Sequence, residues 1–531
     1  MRGLRLPPAW TITAALGIVY LILAPQSPDL AAASYRSSLF SSAGFTLWDN
    51  SWYGGHHLLA YSLLAPALGS LIGPQPLAAI AMVAATALFA LLIDGCFSSR
   101  ATRIAAAWFA LGASVALLSS RVPFDLGLAI GLGALLLARR KHLLLALGMS
   151  VLTALASPVA GAFLALAFLA WALSGPARTW PVALTIAALA PIGALTIAFP
   201  EGGTQPFAAS AFYPDLVGVL VVAVLVKPLD TQVPARVLRL GVWLYALALI
   251  GSYVLPTAVG GNVDRLGAQA AGPVAALALV GASRWRRRLL LVLAPFLLYW
   301  QATAPVTDFA STLSNPSVNA SYYAPLVSEL HALGVGYDAR PARIEVVATA
   351  DHWEARYVAV HVMIARGWER QLDTFRNGLF YEESKPLTAA RYRAWLSANA
   401  ISYVALPDAP LDYSAHAEAG LLRAGPPSYL REVWRSRHWR LFAVLDASPL
   451  AQAPAVLTSA SSDSLTLYAP RPGAYTLRVR FTPYWALASG SGCVTRATQE
   501  WTTVQARRAG SFHLVIRFSL ARVFSDAPRC S

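Results

Sequence analysis

The stretch that decides the fold runs from Arg139 to Arg178, RRKHLLLALGMSVLTALASPVAGAFLALAFLAWALSGPAR. A basic cluster, Arg139-Arg140-Lys141, opens it, two apolar runs follow with a break at Ser157-Pro158, and Arg178 closes it. Each apolar run can cross a hydrocarbon core as a helix, because a spanning segment has to satisfy its own backbone polar groups there. Two crossings bring the chain back to the side it left, and clustered Lys and Arg mark that side as cytoplasmic.

The same alternation continues in both directions. Arg2 and Arg5 precede an apolar run from Pro8 to Ala24, and Arg100 with Arg103 follow one from Pro76 to Phe97. Further spans are predicted over Ile104–Ser119, Val122–Ala138, His142–Ala156, Val159–Leu173, Pro181–Phe199 and Tyr213–Val226. Three more are predicted over Leu240–Leu255, Leu266–Gly281 and Leu289–Ala304. The total is about eleven. Residues 61–73 are apolar but short and contain Pro66, so they read either as a span or as a helix lying in the interface. With Pro76–Phe97 as the second span, every later cluster, including Lys227 to Arg239 and Arg284 to Arg288, falls on the cytoplasmic side. An odd count then puts the N-terminus inside and the C-terminus outside. The small residues ending the first run resemble a signal-peptide cleavage region, but the spans that follow favour an uncleaved anchor.

Composition fits a polytopic α-helical membrane protein. Hydrophobic residues make up 56% of the 531 and charged residues 13%, where a soluble domain carries about 25% charged. The formal charge of +15 is not read as a nucleic-acid footprint, because the basic clusters abut apolar runs and suit anionic lipid headgroups. The bias toward Arg and Ala suggests a bacterial plasma membrane protein.

The expected organisation is a transmembrane domain over 1–304 with a long first outer loop at 26–60. Beyond it come an extracytoplasmic α/β domain over 305–450 and a β-rich domain over 451–531. ARIEVVATA and ISYVALPD read as strands flanking a helix in TAARYRAWLSANA, and SLTLYA, YTLRVRF and HLVIRFSL alternate as strands of a sandwich. Cys96 reads as a packing residue. Cys493 and Cys530 lie where oxidation is permitted and are expected to pair, two separate thiols being the alternative. No P-loop, CxxC or HExxH occurs, so ATP-driven transport has no support and no metal ligands are assigned. A lipid-linked carrier is disfavoured too, because few ionisable residues fall inside spans.

The outer loops hold the candidate chemistry. SPDLAAASYRSSLFSSAGFTLWDNSWYGGHH leads from Asp29 through Tyr35-Arg36 to a dense polar-aromatic cluster. A second loop, PTAVGGNVDRLG, carries Asn262, Asp264 and Arg265 beside a glycine pair. A third, PEGGTQPFAASAFYPD, suits a mobile lid, with no role given to Glu201 or Asp215. An N-terminal span followed by a long outer loop with an acidic residue near its start resembles the polyprenyl-phosphate-sugar-dependent glycosyltransferases of the GT-C superfamily. Resemblance implies a GT-C-like fold and inverting transfer of a hexosyl or pentosyl unit from a polyprenyl-phosphate donor to a lipid or cell-envelope glycan acceptor.

By that resemblance Asp29 is the leading base and Asp49 the second carboxylate. Such chemistry needs a proton acceptor and groups to stabilise the departing phosphate. Only one acid stands near the superfamily position, which favours a metal-independent reaction and leaves a divalent cation open. Arg265 is the expected phosphate partner, with its planar fork of donors, and Asn262 stands in the same loop; Arg36 and Arg121 are backups that read first as structural residues. Trp52 and Tyr53 are candidate sugar platforms, with His56 and His57 toward the phosphate. The competing readings stay open: solvated loop aspartates, an interfacial aromatic belt, or a non-catalytic envelope-assembly or glycan-binding protein.

Overall fold

The computed structural model describes residues 8–176, 178–225, 235–280, 284–382 and 384–531. Arg2, Arg5 and the Lys227 end of the expected cytoplasmic loop lie outside the described residues. The chain divides into two compact units, one of Met1–Ser38, Ala60–Thr196 and Thr204–Leu313, the other of Leu39–Leu59, Ile197–Gly203 and Ser314–Ser531.

The first unit is built from helices α1 (Ala9–Leu23), α2 (Pro28–Ala43), α3 (Leu64–Ile72), α4 (Pro74–Ile93), α5 (Ser99–Ala116), α6 (Val122–Arg139) and α7 (Leu143–Ala156). It continues with α8 (Pro158–Ser174), α9 (Thr179–Ala198), α10 (Ala209–Leu225), α11 (Ala235–Val254), α12 (Asp264–Leu279) and α13 (Arg284–Thr312). Among the described residues six helices are long and apolar enough to cross a membrane: α4, α5 with its extension to Ser119, α6, α9, α11 and α13. A seventh arises if α1 and α2, bent by 79°, count as one span, and α7, α8 and α10 are apolar but shorter. This is a multi-pass membrane protein. Its α3, nine residues long, rises about 14 Å and cannot cross a core of about 30 Å.

Local chemistry explains the breaks. The Ser157 side chain caps α8 by accepting from Ala160 N, with Pro158 in the first turn, a helix start that needs no proline N–H. Ser98 caps α5 in the same way. Arg139, the opening residue of the basic cluster, donates from Nη1 to Leu92 O at 2.5 Å and from Nη2 to Asp94 O at 2.6 Å. It thereby covers carbonyls left open at the end of α4. Small residues fill the contacts of α1, α4 and α5, with Ala78, Ala85, Ala105 and Ala113 fully buried, which lets backbones approach where no hydrophobic effect drives helices together.

The expected loop at 26–60 is in large part a helix. PDLAAASYRSSLFSSA forms α2, beginning at Pro28 with Asp29 in its first turn. An Ala- and Ser-rich run with no glycine or second proline has nothing to break it, and the first-turn carboxylate favours the helix dipole.

The second unit contains α14 (Ala320–Ala332), α15 (Glu354–Tyr357), α16 (Arg370–Arg376), α17 (Ala389–Ala398) and α18 (His416–Arg423). A hairpin of β1 (Trp48–Asp49) and β2 (His56–His57) belongs to it, as does a sheet ordered β4-β3-β5-β7-β6. Those five strands are β3 (Arg343–Val346), β4 (Met363–Ile364), β5 (Ile401–Pro407), β6 (Leu430–Arg435) and β7 (Trp439–Val444), with β3 parallel to both β4 and β5. After them come β8 (Val456–Ala460), β9 (Ser464–Ala469), β10 (Gly473–Arg480), β11 (Trp485–Ser489), β12 (Gly492–Arg496), β13 (Trp501–Ala506), β14 (Gly510–Ile516) and β15 (Arg529–Cys530). They make two four-stranded sheets, β10-β13-β12-β15 and β11-β14-β9-β8. One core takes Leu477 and Val504 from the first sheet and Leu465, Leu467 and Leu514 from the second, as in a sandwich. Cys493 and Cys530 form a disulfide between β12 and β15.

Candidate functional site

Three helices of the first unit carry an aspartate in their first turn: Asp29 in α2, Asp125 in α6 and Asp264 in α12. The bend before α2 is fixed by polar contacts. Ser27 Oγ donates to Ser119 O at 2.9 Å, Tyr20 and Ser120 hydroxyls meet at 2.7 Å, and Gln75 Nε2 donates to Pro25 O at 3.1 Å. These ties set Asp29 beside Arg121, the residue preceding α6.

Arg121 is the hub. Its Nε donates to Asp29 Oδ2 at 3.2 Å, and its Nη2 lies 3.6 Å from Asp308 Oδ2. Ser119 Oγ also donates to Asp308 Oδ2, at 2.5 Å. The three charged side chains keep 18–29% of their surface exposed, so the cluster is reachable. Asp125 is 1% exposed, and its Oδ2 has no hydrogen-bond partner among the described residues. Asp125 and Asp264 also lie within electrostatic range of Arg121. Arg265, one residue into α12, has its Cζ 5.5 Å from the Phe124 ring and is in range of Arg121, Asp29, Tyr61 and Asp125.

Asp264 is held apart from this pairing. Trp300 Nε1 donates to its Oδ1 at 2.6 Å, and Asp215, 4% exposed, adjoins it. Tyr245 OH receives Gly267 N at 2.9 Å and donates to Val263 O at 3.0 Å, pinning the start of α12. The glycine pair before it is not open to a ligand. Gly260 has φ +43, and a Cβ there would stand 1.8 Å from Gln205 O, so its bareness accommodates the chain's own backbone. Asn262 sits in the short turn Gly260–Val263. Arg36 is 4% exposed, with its Cζ 4.0 Å over the Tyr61 ring.

The other expected site residues fold into the second unit as core. Trp48, Asp49, Trp52, Tyr53, His56 and His57 are all buried. Asp49 pairs across the hairpin with His56, and its Oδ1 accepts from Ser51 N at 3.0 Å. The Trp52 ring stacks on His56 at 5.4 Å and its Nε1 donates to Ala355 O at 3.1 Å. Tyr53 OH donates to Glu369 O at 3.0 Å. Gly54 and Gly55, at φ +75 and +115, make the turn, and a Cβ on Gly55 would collide with Trp48 at 2.3 Å. The indole face expected to serve as a sugar platform is thus covered by protein.

Glu201, given no role in the sequence, organises this core. Its Oε1 lies 2.7 Å from His57 Nδ1 and its Oε2 accepts from Arg376 at 2.9 Å, all three side chains buried. Burial raises the pKa of Glu201, but Arg376 and then His57 outweigh it, so the carboxyl is held below its ordinary range. His57 Nε2 meets Thr482 Oγ1 at 3.0 Å, and the His57 backbone N–H donates to Glu201 Oε1. Deeper in the α/β part, buried His352 lies between Glu354 at 3.2 Å and Asp412 at 3.3 Å. Among the described residues no group of three or more His, Cys, Asp or Glu is placed to hold a metal ion.

The sequence places the end of the last span at Ala304 and so leaves Asp308 out of the candidates. The signal was there: α13 runs on to Thr312, and VTDFAST contains nothing to stop a helix after Pro305.

No family model matches the chain, and no curated protein matches it in sequence. Among solved structures it is similar to the arabinofuranosyltransferase AftD from Mycobacteria, at 15% identity and TM-score 0.46, covering 90% of this chain and 41% of that one. The chain thus spans less than half the length of that protein. It is also similar to the Archaeoglobus fulgidus oligosaccharyltransferase in its apo form, at 11% identity and TM-score 0.48, covering 98% of this chain and 95% of that one. The archaeal oligosaccharyltransferase AglB from Archaeoglobus fulgidus, in complex with an inhibitory peptide and a dolichol-phosphate, gives 13% identity and TM-score 0.42, with the same coverages.

Proposed function

We propose that this chain is an inverting membrane glycosyltransferase of the GT-C type. It moves one sugar from a polyprenyl-phosphate donor to a lipid or cell-envelope glycan acceptor. The observation that carries the reading is the reachable Asp29–Arg121–Asp308 cluster with Arg265 in electrostatic range. One carboxylate beside guanidinium groups is what sugar transfer from a phosphate requires.

In the proposed reaction the acceptor hydroxyl oxygen attacks the anomeric carbon, the bond from that carbon to the phosphate oxygen breaks, and the hydroxyl proton passes to Asp29. Arg121 positions Asp29. Arg265, with Arg121, compensates the charge that gathers on the leaving polyprenyl phosphate. The site is proposed to face outward in a bacterial plasma membrane, with about eleven crossings, a cytoplasmic N-terminus and an extracytoplasmic C-terminus. The soluble α/β and β-rich parts are then extracytoplasmic, at 305–450 and 451–531.

A strain lacking the protein tests this. Lipid-linked sugars and envelope glycans are extracted and compared with the parent. An accumulated polyprenyl-phosphate sugar together with a truncated glycan is expected, and neither appearing favours a non-catalytic assembly or glycan-binding role.

A further inference from the structure

The second unit holds a polar cleft that the transfer reaction does not use. It is bounded by one face of α17 and by Gln452, Thr476, Arg478, Thr498, Gln499 and Trp501, and has a volume of about 590 Å³. That falls in the range of small-molecule sites, roughly 300–1,000 Å³. Among the described residues no carboxylate lines it. Its lining offers two amides, three hydroxyls and one guanidinium, the inventory for a polyhydroxylated ligand with a negative charge.

The charge around it is one-sided. Arg478 donates from Nη1 to Pro449 O at 2.9 Å and has no acidic partner among the described residues. Arg343, 1% exposed, donates to Asn399 O at 2.6 Å and Arg478 O at 2.7 Å. It too has no acidic partner among the described residues, and its Nε has no acceptor. Arg480 lies over the Trp501 ring at 4.4 Å, and its ion-pair partner, Glu500 at 3.5 Å, is 55% exposed. Burial, and then the neighbouring Arg480 and Arg478, push Arg343 down to about 9, so the three guanidiniums repel one another. At the rim Gln499 and Glu500 adopt φ +58 and +62, a conformation side chains avoid unless the surroundings enforce it.

We infer that this cleft binds a glycan bearing an anionic substituent, a uronate carboxylate or a phosphate, with Arg478 on the charge and Gln452, Thr476, Thr498 and Gln499 on hydroxyls. The choice of a saccharide rests on the transferase reading; the preference for negative charge rests on the arginines alone.

The test is calorimetric titration of the full chain in detergent micelles with a galacturonic acid trimer, mannose 6-phosphate and a neutral galactose trimer. At least one acidic probe should bind and the neutral trimer should bind weaker, and which acidic probe wins tells carboxylate from phosphate. Arg478→Gln keeps the carbonyl that Arg343 uses and should weaken the acidic probe about tenfold or more, leaving the neutral one unchanged. Gln499→Gly removes an amide while relieving the left-handed backbone, so it should weaken both without unfolding the chain. Equal binding of acidic and neutral trimers, no binding of any probe at millimolar concentration, or an unchanged Arg478→Gln variant would overturn the proposal. Sugar transfer measured on the same preparations separates the two readings. A chain that transfers sugar but binds no probe loses only the cleft, and one that binds an acidic probe but transfers nothing loses only the transferase assignment.

Discussion

Asp29→Asn is the substitution that tells a base from an ion-pair partner. The amide keeps the size of the side chain and its oxygen can still accept from Arg121 Nε at 3.2 Å. Only the charge and the proton-accepting capacity go. Asp29 and Arg121 are 18% and 25% exposed, so weakening the pair costs about 1 kcal/mol of stability at most. Losing a general base costs about 100-fold or more in turnover, which is about 2.7 kcal/mol in the barrier. The two effects therefore separate when transfer from a polyprenyl-phosphate sugar and the thermal midpoint are measured on one preparation. Donor affinity should survive, because Arg121 and Arg265 remain. Arg265→Ala should do the reverse, raising the donor Kd. Asp308→Asn is the control, since it makes the same charge change on the other partner of Arg121 and should cost less than about tenfold. Normal turnover in Asp29→Asn at normal expression, or an equal loss in Asp308→Asn, would refute the assignment.

Reporter fusions after Arg288 and after Ser531 should report opposite compartments; the same compartment for both would put the number of crossings off by one. His352 gives a pH signature: burial lowers its pKa, but the hydrogen bonds of Asp412 and Glu354 prevail and raise it from 6.5 to about 9. Its contribution is therefore complete below pH 6.5 and fades as pH rises through 9, a loss of about 3 kcal/mol, read as a falling unfolding midpoint that His352→Gln should flatten. Gly267→Ala would place a methyl 2.4 Å from the Trp300 ring and 2.7 Å from Tyr245 OH. It should cost about 1–3 kcal/mol in thermal unfolding, and a variant as stable as the parent would show that Trp300 is free to move.

The helical framework was legible because its signals are local. A run of apolar residues, a Ser-Pro break and a basic cluster each act on their immediate neighbours, and α8 starts at Pro158, next to the break that the letters show. Strand alternation is equally local: Gly473–Arg480 buries every second residue from Tyr475 to Val479. The ion pairs were not legible. Arg121 stands 92 positions from Asp29, and Ser119 stands 189 from Asp308. Nothing in either neighbourhood names its partner, so the sequence could rank charged residues by position relative to a span but could not assemble them.

Trp48 to His57 show the opposite difficulty, a local signal strong enough to mislead. Tryptophan, tyrosine and histidine have broad apolar faces and a polar edge, which suits a sugar platform and suits the core of a small soluble unit equally. Composition cannot choose between them; burial can. Here Trp52 is 0% exposed, and segment 48–57 is stitched into its unit by backbone bonds from Asn50 to Ser462, Ile364 to Ser51 and Arg480 to Gly54. Glu201 and Arg376 then satisfy His57 and Gly55 O from two further stretches of chain. A segment written between apolar runs can bury so many aromatic rings only by joining a core supplied elsewhere, and residues 314–531 supply it. The carboxylate in the first turn of α2 stays partly exposed with Arg121 and Asp308, as do Asn262 and Arg265, and these side chains, unlike the buried rings of 48–57, can meet a ligand.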